Sequence, residues 1–203
     1  SADEEYFSFL RTGRNPSKVF YCPNIIQCYG GFTTLEREQG MIYNILDEKY
    51  DVKIPERDVN YYAQMILEVL LDIHEKRFIH SDLKPGNILV FPPQHGTNLS
   101  TLKTADFGLA KQLGVKDTRF EFQGIRYYMS LGSIFEEVSG ALDIWSLGCI
   151  EVQMIMGKLP WDTRDRDELR DKFLRGESAN ILEDMSKLGN SFLKECFAID
   201  PNK

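Results

Sequence analysis

The chain has 203 residues, 42% of them hydrophobic and 27% charged, with a formal net charge of −7. That length can bury a full core as one large domain or two small ones, and the composition excludes a disordered chain. The acidic balance argues against a general nucleic-acid surface, so any anionic ligand must be held by a local site.

The start, SADEEYF, is acidic where a secretory signal is basic and then apolar, and no apolar run approaches the length of a membrane span. A soluble, cytoplasmic protein with no membrane partner is expected. The first residue is Ser rather than Met, which suits a piece of something longer. Cys22, Cys28, Cys149 and Cys196 form no CxxC pair and sit among core-like residues, so reduced thiols are expected.

In chain order, Asp3 to Leu10 reads as a helix, with Tyr6 and Leu10 on one face behind an acidic first turn. A Gly/Pro loop follows. IIQCYGGF and MIYNIL then read as two short strands separated by TTLEREQG. After Pro55 the apolar period changes to steps of three and four, at Val59, Tyr62, Ile66, Val69 and Ile73. This predicts an amphipathic helix to about Lys76. ILVF and LKTA read as short strands joined by PPQHGTNLS. Residues 141 to 156, ALDIWSLGCIEVQMIM, are apolar on nearly every face and predict a buried central helix, the partner of the preceding amphipathic one, stopped by Gly157 and Pro160. Two more helices are expected, Asp165 to Leu174 closed by Gly176, and Ser191 to Ala198 ended by Asp200-Pro201. No internal repeat or low-complexity tract appears.

Chemistry concentrates in HSDLKPGN, between a helix and a strand, and in ADFGLA after the next strand. An amide (Asn87) and a carboxylate (Asp106) with a nearby Lys84 suit Mg²⁺ and phosphate rather than zinc, which prefers Cys and His. Neither His74 nor His95 has a visible partner, and both read as surface residues.

His80-Ser81-Asp82-Leu83-Lys84-Pro85-Gly86-Asn87 and Asp106-Phe107-Gly108 resemble the catalytic loop H-R-D-x-K-x-x-N and the D-F-G of the eukaryotic protein kinase family. DIWSLG, from Asp143 to Gly148, resembles that family's central-helix motif, and CPNII its H-P-N-I-V. CYGGF, GKLPW and FLKECFAIDP are similar to plant-type mitogen-activated protein kinase kinase kinases. The resemblance implies an α+β, protein-kinase-like fold. Residues 1–46 would be a truncated small lobe of one helix and short strands, and residues 47–203 a mostly helical lobe behind a shortened hinge.

It also implies an ATP- and Mg²⁺-dependent serine/threonine kinase with a protein substrate, possibly a downstream kinase of a mitogen-activated cascade. Asp82 would accept or orient the substrate hydroxyl proton and Lys84 would neutralise the transferring phosphate. Asn87 and Asp106 would hold Mg²⁺, Leu89 would floor the adenine, and Asp143 would pin the loop backbone, with His80 structural. The chain departs from the pattern as well. No G-x-G-x-x-G loop or V-A-I-K strand appears, Glu4 or Glu5 would lack its lysine, and NILDEKYDVKIPERD shortens the hinge. Ile125, Leu131 and Gly132 replace the Thr and the Pro-Glu of the substrate-side segment, and Ser81 replaces the Arg that receives a phosphate on that segment, so no simple switch by phosphorylation there is expected; Thr118 is the candidate phosphosite by position, with a solvated loop threonine the preferred reading. The alternatives are a degenerate kinase acting as a binding or regulatory module, and a truncated gene product.

Overall fold

A computed structural model of the chain describes residues 8, 24–25, 53–93, 98–113, 127–128, 139–163, 165–175, 177 and 185–198. The predicted helix at Asp3 to Leu10, the strands IIQCYGGF and MIYNIL, Glu4, Glu5, Cys22, Cys28, His95, Thr118, Ile125, Leu131 and Gly132 lie outside them, apart from Ser8 and Ile25.

The first element among the described residues, α1, spans Glu56–Glu75 and carries Glu56 and Asp58 in its first turn, where the helix dipole favours negative charge. Val59, Ala63, Ile66, Val69, Leu70 and Ile73 are its buried stripe; four of the five positions of the sequence period are in it, while Tyr62 is partly buried and Ala63 and Leu70 join it. The stripe packs on α2, Ala141–Met156, which is buried on nearly every face and ends at Gly157 with φ 72°, a left-handed closure that glycine adopts without a Cβ penalty. The lead-in to α1 is tied to the far end of α2 by Ile54 N–H donating to Met154 O at 2.8 Å.

After α1 the chain forms β1, Phe78–Ile79, a 3₁₀ turn at Pro85–Asn87, β2, Ile88–Phe91, β3, Thr101–Thr104, and β4, Lys111–Gln112. β2 and β3 pair antiparallel with Ile88 opposite Thr104, and β1 pairs antiparallel with β4, Phe78 opposite Gln112. Because strand side chains alternate, Ile88 and Val90 join the core with Leu102, while Leu89 turns to the opposite face of the hairpin. Ile25 is buried and makes a parallel bridge to Thr104, whose N–H donates to Asn24 O at 2.7 Å.

α3 spans Arg166–Leu174 and is capped by Asp165, whose carboxylate accepts from the N–H groups of Asp167 and Glu168. α4 spans Lys187–Cys196. The sequence places this helix at Ser191 to Ala198, and the observed start is four residues earlier. Ser186 caps it by accepting the Gly189 N–H, and Gly189 and Asn190, turn formers in isolation, are absorbed into its first turn. Among the described residues, α2, α3 and α4 meet in an aromatic cluster. Trp145 and Trp161 stack with centroids 6.3 Å apart, and Phe173 and Phe197 meet both rings edge-on.

Candidate active site

The loop from His80 to Asn87 leaves the core at β1 and returns to it at β2, so its polar residues are held between two buried anchors. Its backbone is gripped from α2. Asp143, 1% exposed, accepts the His80 N–H at 2.8 Å on Oδ2 and the Ser81 N–H at 3.0 Å on Oδ1. His74, in the last turn of α1, lies 2.8 Å from the same Oδ2 through Nε2. The sequence reads His74 as a surface residue without a partner, and the structure corrects this: α1 and α2 pack so that residues 69 positions apart in the chain meet.

His80 is fully buried and is structural in its contacts, as expected. Its ring stands 4.6 Å, centroid to centroid, from Phe107. Nε2 lies 3.2 Å from Ala105 O, and Nδ1 lies 3.3 Å from Asp82 N. A carbonyl only accepts and a backbone N–H only donates, so the proton belongs on Nε2 and the ring is neutral. Burial is the chief cause that lowers its pKa below the ordinary imidazole value. The nearby carboxylates of Asp143, Asp82 and Asp106 act in the opposite sense, as does the hydrogen bond to Ala105 O.

The structure brings three of the sequence-predicted residues into direct contact. Lys84 Nζ is 2.7 Å from Asp82 Oδ2, and Asn87 Nδ2 donates to Asp82 O at 2.8 Å and to Asp82 Oδ2 at 3.2 Å. Asp82 and Asn87 are buried and Lys84 is one-third exposed. With its NH₂ turned to Asp82, Asn87 has its carbonyl oxygen as the end suited to a cation. Asp106 is placed beside this group by the backbone: Ala105 N–H donates to Asn87 O at 2.8 Å, so the residue after Ala105 follows directly on the 80–87 loop. Asp106 is exposed, and its Oδ1 accepts the Gly108 N–H at 3.3 Å. Leu89 lies two residues beyond Asn87, half-buried on the hairpin face away from the core.

Among the described residues, the non-glycine positions with positive φ are Arg77 (63°), ahead of β1, and Ser81 (64°) and Asp106 (59°), which belong to the 80–87 loop and the end of β3. Left-handed backbone at such residues is a local cost that tends to gather at functional sites. Elsewhere on α2, Ser146 Oγ donates to Tyr128 O at 2.6 Å, and Tyr128 O–H donates to Gln153 Oε1 at 2.5 Å. The sequence reading found Asp143 from its motif. It missed Gln153, Ser146 and His74, whose roles rest on contacts distant in sequence.

A carboxylate, a lysine and an amide on one loop, with a second carboxylate at the end of the next strand, form a phosphoryl-transfer type of arrangement on an α+β scaffold. Residues 14–203 match the family described as Protein kinase domain, and the chain belongs to that family. Mitogen-activated protein kinase kinase kinase 20 of Arabidopsis thaliana is 34% identical over 204 residues, covering 90% of this chain and 58% of the relative. Mitogen-activated protein kinase kinase kinase YODA of the same plant is 33% identical, covering 88% of this chain and 20% of its own length. The human mitogen-activated protein kinase kinase kinase 5 is 32% identical, with 89% and 14% covered. The chain thus spans between 14% and 58% of the lengths of these relatives. A crystal structure of the Rad53 kinase domain and SCD2 superposes with a TM-score of 0.66 at 22% identity, over 91% of this chain and 66% of that one, and shows the same fold. The resemblance to mitogen-activated protein kinase kinase kinases, read from CYGGF, GKLPW and FLKECFAIDP, therefore holds.

Proposed function

We propose that this chain carries the catalytic lobe of a serine/threonine protein kinase that moves the terminal phosphoryl group of ATP to a Ser or Thr hydroxyl on a protein, within a mitogen-activated kinase cascade. The observation that carries the reading is the contact set Lys84–Asp82–Asn87, joined to Asp106 through the Ala105–Asn87 backbone bond.

In this reading Asp82 accepts or orients the proton of the substrate hydroxyl. The Asn87 amide nitrogen holds the Asp82 carboxylate in place. Lys84 neutralises charge on the transferring phosphoryl group, and its 2.7 Å contact with Asp82 holds the two side chains together. Asn87 and Asp106 supply hard oxygen donors that fit Mg²⁺, which uses few protein ligands and completes its shell from phosphates and water. When bound, the ion neutralises charge on the nucleotide phosphates. Leu89 offers an apolar contact for the adenine. The division into a small lobe at residues 1–46 and a larger one at 47–203 belongs to the same reading, as does a cytoplasmic location. No helix among the described residues is long and apolar enough to cross a membrane.

The test uses the full gene product with a generic protein substrate and radiolabelled ATP. Phosphate incorporation at Ser or Thr that disappears in Asp82→Ala is expected, and equal incorporation by both proteins overturns the reading. A second reading, a regulatory module that binds partners without catalysis, is favoured by the replacement of the family's Thr and Pro-Glu by Ile125, Leu131 and Gly132. A thermal-shift titration with Mg·ATP bears on it: stabilisation in wild type that is lost in Asp106→Ala supports nucleotide binding, and no stabilisation in either supports the module.

A further inference from the structure

β3 pairs with β2 along one edge, and because alternate residues of an antiparallel strand turn their N–H groups the other way, Leu102 and Thr104 present theirs to the opposite edge. Backbone donors on an open strand edge need acceptors from outside the sheet, and these two meet different ones. Thr104 N–H donates to Asn24 O at 2.7 Å, and Leu102 N–H donates to the sulfur of Met65, on α1, at 3.2 Å. α1 holds both acceptors in place: Glu68, one turn beyond Met65, accepts Asn24 Nδ2 at 2.7 Å.

The two acceptors differ in chemistry. A carbonyl oxygen is inert to mild oxidants, whereas a thioether is a weak acceptor that an oxidant alters and a reductase restores. Met65 is half-buried at the margin of the core, so it is more accessible than Met154 and Met156 of α2, which are 0% and 8% exposed. Met185, ahead of α4, is half-buried as well but lies away from β3, among the side chains around α4.

We propose that Met65 is a site of reversible oxidation, and that its sulfoxide frees the open edge of β3 from α1. Hydrogen peroxide is the oxidant. Its O–O bond breaks, a sulfur lone pair forms the new S–O bond, the sulfur is oxidised by loss of that pair to oxygen, and the peroxide is reduced and leaves as water.

Both positions for the added oxygen break the contact. On the lone pair that faces Leu102, the oxygen enters a 3.2 Å gap that already holds the amide hydrogen. On the other lone pair, the sulfur becomes the positive end of the S–O dipole and turns that end toward a donor. For the oxygen itself to receive the Leu102 N–H at an ordinary distance, the sulfur must draw back from β3. Leu102, 2% exposed, is then left with its N–H unpaired on the strand edge. β3 runs on directly to Asp106, so the strand that loosens is the one that positions this carboxylate. The proposal stands on these contacts and does not need the kinase reading.

The experiment treats the full chain with dilute hydrogen peroxide, maps oxygen addition by peptide mass spectrometry, and follows amide hydrogen exchange of Leu102 and Thr104 by NMR. Oxidation of Met65 is expected to speed exchange at Leu102 by roughly tenfold, with Thr104 little changed, and methionine sulfoxide reductases are expected to reverse it. Three results overturn the proposal: Met65 untouched when Met185 is fully oxidised, Leu102 exchange unchanged in the Met65 sulfoxide, or equal acceleration at Leu102 and Thr104. Met65→Leu keeps the apolar bulk and removes the sulfur. Its Leu102 amide is expected to exchange fast from the outset and to ignore peroxide. A Leu102 amide in Met65→Leu as slow as in wild type, or one that responds to peroxide as wild type does, also overturns it.

Discussion

His74 Nε2 and the backbone N–H of His80 share one oxygen, Asp143 Oδ2, each at 2.8 Å. A helix end, a buried helix and the loop that carries Asp82 are thereby fixed to a single carboxylate, while the other oxygen of that carboxylate holds Ser81. Removing it leaves two loop N–H groups without their acceptor. At about 1–3 kcal/mol for each buried group left unpaired, Asp143→Ala should cost roughly 2–6 kcal/mol. His74→Ala removes one contact to an oxygen that keeps another donor, and should cost about 1 kcal/mol. Urea denaturation of the two variants checks the order, and a His74→Ala loss equal to that of Asp143→Ala would contradict this account.

Gly148 sits in the middle of α2, where replacing glycine by alanine ordinarily gains about 1 kcal/mol of helix propensity. Here the added Cβ would lie 2.7 Å from Cys196 Cβ and 3.2 Å from the Phe197 ring. The Cys196 Cβ is fixed to the α4 backbone, so relief requires α4 to move away from α2. Overpacking of this kind costs about 1–3 kcal/mol. The clash outweighs the propensity gain, and Gly148→Ala should lower the melting temperature. A raised melting temperature would mean that α4 yields freely.

How much of this was legible in the sequence depends on the range of the interaction. α2 was read correctly from end to end because its signals are local: an unbroken apolar run, then a glycine able to take φ 72°. The apolar period of α1 likewise named its buried face. The first turn of α4 was missed because its cap is completed by Glu56, 130 residues away, and local chemistry alone reads Gly189-Asn190 as a turn. His74 was missed for the same reason. Asp82, Lys84 and Asn87 were legible because their mutual contacts lie within five residues.

His80 and Glu151 give opposite pH dependences that difference curves can separate. Burial holds the His80 pKa below the ordinary 6.5, so the unfolded chain takes up a proton first as pH falls. The stability tied to the neutral ring is therefore present above about pH 6.5 and is lost on acidification below it. Glu151 acts in the other direction, favouring the fold increasingly as pH falls from about 8. Thermal melts from pH 5 to 9 should show His80→Gln flattening the acid side of the wild-type curve and Glu151→Gln flattening the alkaline side. An unchanged acid side in His80→Gln would show that burial leaves the proton affinity of the ring the same in the fold as in the unfolded chain.

Ser81 combines two local costs. Its φ of 64° is left-handed, at about 1–2 kcal/mol for a residue with a Cβ, and its buried Oγ has no hydrogen-bond partner among the described residues. Glycine removes both and adds about 0.5–1 kcal/mol of backbone entropy to be lost on folding. The backbone N–H that Asp143 holds is unchanged by the substitution. Ser81→Gly should therefore stabilise the chain by about 1 kcal/mol, and Ser81→Ala, which removes the hydroxyl but keeps the strained φ, should gain less. Chemical denaturation of the pair gives the order. If alanine stabilises as much as glycine, the cost lies in the unpaired hydroxyl, and the left-handed backbone beside Asp82 carries no strain for function to use.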